Sequence, residues 1–212
     1  MWRRLAETLG TLTRGSSDAE SARTAATLYD AYSVLLLYCG SCPPQIYADA
    51  IRPQMMRADP AFSGRWSRDF QPIEPMMQAL RTIDAAPSLD ELFTAAEEND
   101  RIHRSVAIRL VPGGRSLLGS SGREEDAPPT EDERDTYDAF FGVGHERLSL
   151  EESITALRQR LSAVRSDLIA NPLPVPCGWE GLRHRDIALV DRFHRDSILI
   201  LDDVEEGIDE ST

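Results

Sequence analysis

Residue types that make sites rather than fill cores gather in one stretch, residues 39–69, CGSCPPQIYADAIRPQMMRADPAFSGRWSRD. It opens with a Cys-x-x-Cys pair, Cys39 and Cys42. Such a pair can be a redox couple, half of a zinc site or part of a c-type heme attachment. Zinc needs two further ligands at comparable spacing, and the chain has no second Cys-x-x-Cys. Heme attachment through this pair places His directly after the second Cys, where Pro43 stands. The strand-to-helix setting of a thioredoxin-like couple is absent as well. What is left is two small thiols at a helix end, with a covalent link to a cofactor still open.

Arg52 is the second candidate, at the end of a short helical piece just before Pro53 and amid Tyr47, Met55, Met56, Phe62 and Trp66. A guanidinium in such apolar company needs an anionic partner. Two partners fit. One is an internal carboxylate, Asp49, Asp59 or Asp69; the other is a ligand carboxylate, which arginine's planar fork can grip at two points.

The third set is the histidines: His103, His145, His184 and His194. In the last helix Ile187, Val190, His194, Ile198 and Leu201 share one face, so His194 is expected in an apolar environment. His184 lies beside Arg183 and Arg185 on a more polar face. A single histidine on an apolar face is commonly a hydrogen-bonded core residue. No His-x-x-x-His or Glu-x-x-His pair is present, which removes di-iron and zincin chemistry. Without Gly-x-Ser-x-Gly there is no nucleophile elbow either.

The elements that must position these residues read as helices throughout. Ala22, Ala25, Tyr29, Tyr32, Ser33 and Leu36 recur at helical spacing over about 19–38, with apolarity spreading round the helix towards its C-terminal half. Gly40 ends that helix, and Pro43-Pro44 suits the first turn of the next. Pro53 removes a backbone donor, so a kink or stop is expected near 49–53. Helices follow over about 74–84 and 89–110, the second opened by a Ser88/Glu91 capping box. Residues 112–135, rich in Gly, Ser, Pro, Glu and Asp, read as a mobile acidic loop. A Ser149/Glu152 capping box precedes an amphipathic helix whose stripe is Leu150, Ile154, Leu157, Leu161, Val164 and Leu168. The last helix is expected over about 179–201, with an acidic tail at 203–212. The fold class is all-α: one helical-bundle domain over 1–212, without internal repeats.

Composition excludes several functions. A net charge of −13 argues against a nucleic-acid partner, because phosphate backbones need a basic footprint. All 23 basic residues are arginine, in keeping with GC-rich, bacterial codon usage. Without lysine no Schiff base can form, so pyridoxal phosphate and class I aldolase chemistry are out. The N-terminus carries no apolar signal-peptide core, and the longest apolar run, 32–39, is far short of a membrane span. Three cysteines suit a reducing cytoplasm. A homodimer through the apolar N-terminal helix is an open arrangement.

The segment PPQIYADAIRPQM, with Tyr47 and Arg52, together with the aromatic-bearing loop after it, resembles the histidine-ligated heme superfamily. That superfamily includes indoleamine and tryptophan 2,3-dioxygenases, the pyrrolnitrin-pathway synthase and heme-dependent tyrosine hydroxylases. The resemblance implies an indoleamine-dioxygenase-like helical fold enclosing heme b. Its iron would take one axial histidine, His194 or alternatively His184. It further implies that Arg52 holds the carboxylate of an aromatic amino acid or indole derivative, preceded by Tyr47 and packed by Phe62 and Trp66. The implied activity is oxygenation or hydroxylation in secondary metabolism, with oxygen or peroxide as oxidant. Two other readings stand beside it: an all-α binding or scaffold protein without cofactor, and a heme-free helical protein that binds a small carboxylate.

Overall fold

The computed structural model of the chain describes residues 1–14, 19–83, 87–111, 113, 115–124, 127–144, 149–173 and 182–210. Among them there is helix and no strand. Two long helices, α2 (Ala19–Cys39) and α6 (Asp90–Leu110), form the centre and pack on each other more extensively than any other pair. They run in the same direction. The Asn99 side-chain amide donates to Ser33 Oγ at 2.9 Å near one end, and Gly40 lies against Val106 near the other. The pattern expected for α2 holds. Ala22, Ala25, Tyr29 and Ser33 are buried, and so are Val34 and Leu37 on other sides of its C-terminal half.

Around this pair lie α1 (Trp2–Thr13), α5 (Ile73–Thr82), α9 (Leu150–Ala170) and α10 (His184–Glu210). α1 packs across α2 and α5, and α10 packs on α2, α6 and α9. Trp2 fixes the first of these contacts, its ring centre 4.1 Å from Tyr32 and 5.0 Å from Phe70. The Ser149/Glu152 capping box that starts α9 is present, with both backbone groups bonded. Ile154, Leu161 and Leu168 on its stripe are buried. Arg165 of α9 pairs with Asp202 of α10.

Four boundaries depart from the sequence reading. α6 has Leu89 as its N-cap, without a side-chain cap, because a short 3-10 turn at Pro87–Leu89 precedes it. Pro53 does not stop its helix. α3 (Pro44–Ile46) runs through a π-helical turn, Tyr47–Ile51, into α4 (Arg52–Ala58). The turn re-routes backbone bonding one residue wide, so the Arg52 N–H donates to the Tyr47 carbonyl just where proline's missing donor would break an α-ladder. α10 does not end at Leu201 but continues to Glu210, because Leu201 and Val204 extend its buried stripe; residues 203–210 are therefore helix rather than tail. Residues 112–135 contain α7 (Leu117–Ser120) and lead into α8 (Glu131–Phe141), whose Thr130/Glu133 capping box is complete.

Those last elements build a second, smaller core. Leu117 and Leu118 are buried against Ala61, Phe62 and Trp66, with Met55, Tyr137 and Phe140 leaning on the cluster. Phe62 is its hub, with ring centres 4.8 Å from Phe140, 5.6 Å from Trp66 and 5.9 Å from Tyr137. Arg68 ties α8 down from outside, donating to Glu131, Asp135 and Asp138. No helix among the described residues is long and apolar enough to cross a membrane.

Candidate functional site

The corner after α2 is rigid for a physical reason. A Cβ at Gly40 would come within 2.6 Å of a Val106 methyl and 2.9 Å of the Leu36 carbonyl, so only glycine lets α2 end this close to α6. Arg109 of α6 then donates to the carbonyls of Gly40 and Cys42, the latter at 3.0 Å. Cys39 is exposed, Cys42 is half-buried, and both are free thiols. The Cys39 thiol is held above its usual value, by partial loss of hydration and then by neighbouring Cys42, so it carries little thiolate at neutral pH. Among the described residues no group of three or more His, Cys, Asp or Glu is arranged to hold a metal.

The structure divides the residues expected to hold a substrate. Tyr47 packs half-buried against the main core. Phe62 and Trp66 stay together, but inside the second core, only 3% and 2% exposed. Arg52 itself donates from Nη2 to the Arg115 carbonyl at 3.1 Å, just ahead of α7. Among the described residues it forms no ion pair with Asp49, Asp59 or Asp69. Asp49 accepts from Gln45, and Asp59 accepts from the Ala61 N–H at 2.6 Å. Among the described residues Arg52 has no carboxylate partner.

His194 lies half-buried on α10, between Val190 and Phe193, both fully buried, and Ile198, which packs on the core. Its imidazole is pushed below the usual value, first by loss of hydration; Asp191 opposes this and the Arg109 guanidinium adds to it. A neutral ring with a lone pair is the form a metal needs. His184 is exposed in the first turn of α10, and His103 is exposed on α6. His145 and Cys177 lie outside the described residues.

Three features had no signature in the sequence. Asp30 of α2 has a buried Oδ1 without a hydrogen-bond partner, close to Glu98 and Glu91 of α6 and to Arg192 of α10, which pairs with Glu98. Burial, then the two glutamates, push its carboxyl up to about 6 against the opposing pull of Arg192. A groove of about 610 Å³ opens beside α1 and the start of α2, lined mostly by polar side chains such as Arg4, Thr8, Arg14 and Thr24. A cleft of about 230 Å³ lies beside Trp66, between the start of α5 and residues 118–129. Neither hollow reaches Arg52, Tyr47, His184 or His194.

Residues 1–96 fit the family model described as SfmD 3-methyl-L-tyrosine peroxygenase. This stretch is 96 of the 212 residues, less than half. It runs from α1 into the first turns of α6 and so contains both thiols, Tyr47, Arg52, Phe62 and Trp66 but neither His184 nor His194. The match agrees with the resemblance to aromatic-compound oxygenases that rests on the Tyr47–Arg52 segment. No curated protein gives a significant match.

Proposed function

We propose that the chain is a heme-dependent oxidising enzyme of the peroxygenase kind, acting on an aromatic amino acid related to tyrosine in a biosynthetic pathway. The observation that carries this reading is the match of residues 1–96 to a peroxygenase family whose description names a methylated tyrosine. Arg52 would hold the substrate carboxylate. Its half-buried guanidinium faces no internal carboxylate among the described residues, which supports that role.

In donor chemistry the residues fit an iron porphyrin. His194 offers a neutral, half-buried imidazole, whereas the exposed His184 offers no dry setting. In shape the bundle is closed there, with Val190 and Phe193 fully buried beside His194. Heme uptake would therefore part α10 from its neighbours and be coupled to folding of that helix. When bound, the heme would supply activation of the oxidant, and peroxide follows from the family's description. The chain's own contribution would be to bind and orient the amino acid through Arg52 and to keep the histidine neutral through burial.

The test is turnover of the heme-loaded protein with peroxide and L-tyrosine or 3-methyl-L-tyrosine, followed by mass spectrometry. The expected product has gained one oxygen, and Arg52→Leu raises KM at least tenfold while leaving the heme absorbance in place. An Arg52→Leu protein with unchanged KM would remove the carboxylate role. The closed packing around His194 favours a second reading, a heme-free helical protein that binds a small carboxylate. It predicts amino-acid binding by protein that never takes up heme.

A further inference from the structure

The cleft beside Trp66 has a lining that selects a particular kind of molecule. Arg65 and Glu74 both line it as an ion pair, their side chains 3.4 Å apart at the nearest atoms and about half exposed. A pair this open to water stabilises little, so exchanging it for two new ion pairs is cheap. The backbone that presents Arg65 is fixed at both ends. Its N–H donates to Ser63 Oγ at 3.2 Å, and its carbonyl accepts from the Gln71 amide at 2.6 Å. Trp66, Phe70 and Pro128 give the lining its flat apolar faces, and Gln71, Gln78 and Arg123 add polar groups. Arg123 braces those faces, its guanidinium 5.9 Å from the Trp66 ring, paired with Glu133 and donating to the Pro128 carbonyl at 3.2 Å. At about 230 Å³ the hollow is smaller than the roughly 300–1,000 Å³ of drug-sized sites and suits one small molecule.

We propose that this cleft binds a free α-amino acid with an aromatic side chain. The carboxylate goes to Arg65, the ammonium to Glu74, and the ring lies against Phe70 and Pro128. Adjacent opposite charges at a small hollow complement a zwitterion better than they complement an acid or an amine alone. This site is separate from the one assigned to Arg52 and rests on its own lining, so it needs no heme.

Isothermal titration of heme-free full-length protein with L-phenylalanine, to about 10 mM, tests it against a Kd expected near the millimolar range. N-acetyl-L-phenylalanine, without the ammonium, and phenethylamine, without the carboxylate, serve as probes. The expected result is saturable binding of phenylalanine, at least tenfold weaker for either probe. Arg65→Ala and Glu74→Gln should each weaken phenylalanine binding at least tenfold. Both altered side chains are about half exposed, so the variants should fold, as unchanged circular dichroism would verify. The proposal is overturned if phenylalanine does not bind, if either probe binds as tightly as the amino acid, or if Arg65→Ala binds normally. Binding lost in Arg52→Leu but kept in Arg65→Ala would overturn it while supporting the carboxylate role of Arg52.

Discussion

The two cores of this molecule are built in different ways. The main core joins long helices through aliphatic stripes, such as Leu28 and Val34 of α2, Leu92 and Ile102 of α6, Leu161 of α9 and Val190 of α10. The second core joins short pieces far apart in sequence, residues 61–66, 117–118 and 137–140, around aromatic rings. Helices whose buried residues recur every three or four positions are locked by many repeated contacts. A cluster gathered from turns and half-helices depends on a few large side chains, and loss of one is felt locally. The amino-acid-sized cleft opens on this second core, beside Trp66, while His194 sits on the first.

The comparison is broken most severely by truncating a buried aromatic ring in each core. Phe193→Ala removes a fully buried ring from the main core and should lower unfolding free energy by about 3–5 kcal/mol. Phe62→Ala, at 3% exposure, removes a ring of the same size but should act locally. Hydrogen exchange should then accelerate in residues 61–66 and 131–141 while α2 and α6 keep their protection. Equal loss of protection across the chain would mean that the two cores form one cooperative unit.

A smaller effect is expected where α2 meets α6. Gly40→Ala forces a methyl against Val106 and the Leu36 carbonyl and should cost about 2–3 kcal/mol in urea unfolding. A cost below about 0.5 kcal/mol would show that the corner is looser than its contacts suggest.

Asp30 gives a pH-dependent test of the same core. Its folded carboxyl is raised from the ordinary aspartate value of 3.8 to about 6, so between these values the folded chain holds a proton that the unfolded chain has released. Stability therefore falls as pH rises through that window, and the penalty is complete above about 6. Asp30→Asn should remove the penalty, raising stability at pH 7 by up to about 2 kcal/mol and flattening the profile between pH 4 and 6. Thermal melts across that range check it, and a variant less stable than the parent at pH 7 would contradict it. The smallest effect is on the periphery: Ser149→Ala removes one half of the α9 capping box and should cost about 1 kcal/mol.

How much was legible in the sequence follows the same division. The stripe of α9 and its capping box could be read because both are local, with every partner within a turn or two. The buried face of α2 could be read for the same reason. The π-turn before Pro53 was legible only as a disturbance, since sequence does not say whether a missing donor ends a helix or widens it. The second core was hidden. Leu117 and Leu118 sit in a segment whose glycines, serines and acids outweigh two leucines, and their partners lie some 50 residues earlier. Phe62 and Trp66 lie 5.6 Å apart between ring centres, and their type alone did not reveal that they face inward. The Arg65–Glu74 cleft depends on the same non-local packing.

The central claim, that His194 on the main core holds a heme, is tested most directly by absorbance. The full chain would be produced with heme supplied and purified as the parent, His194→Ala and His184→Ala forms. The account predicts a Soret band in the parent and in His184→Ala, and its loss in His194→Ala with helical circular dichroism preserved. A colourless parent protein, or a His194→Ala protein that keeps the band, would contradict it.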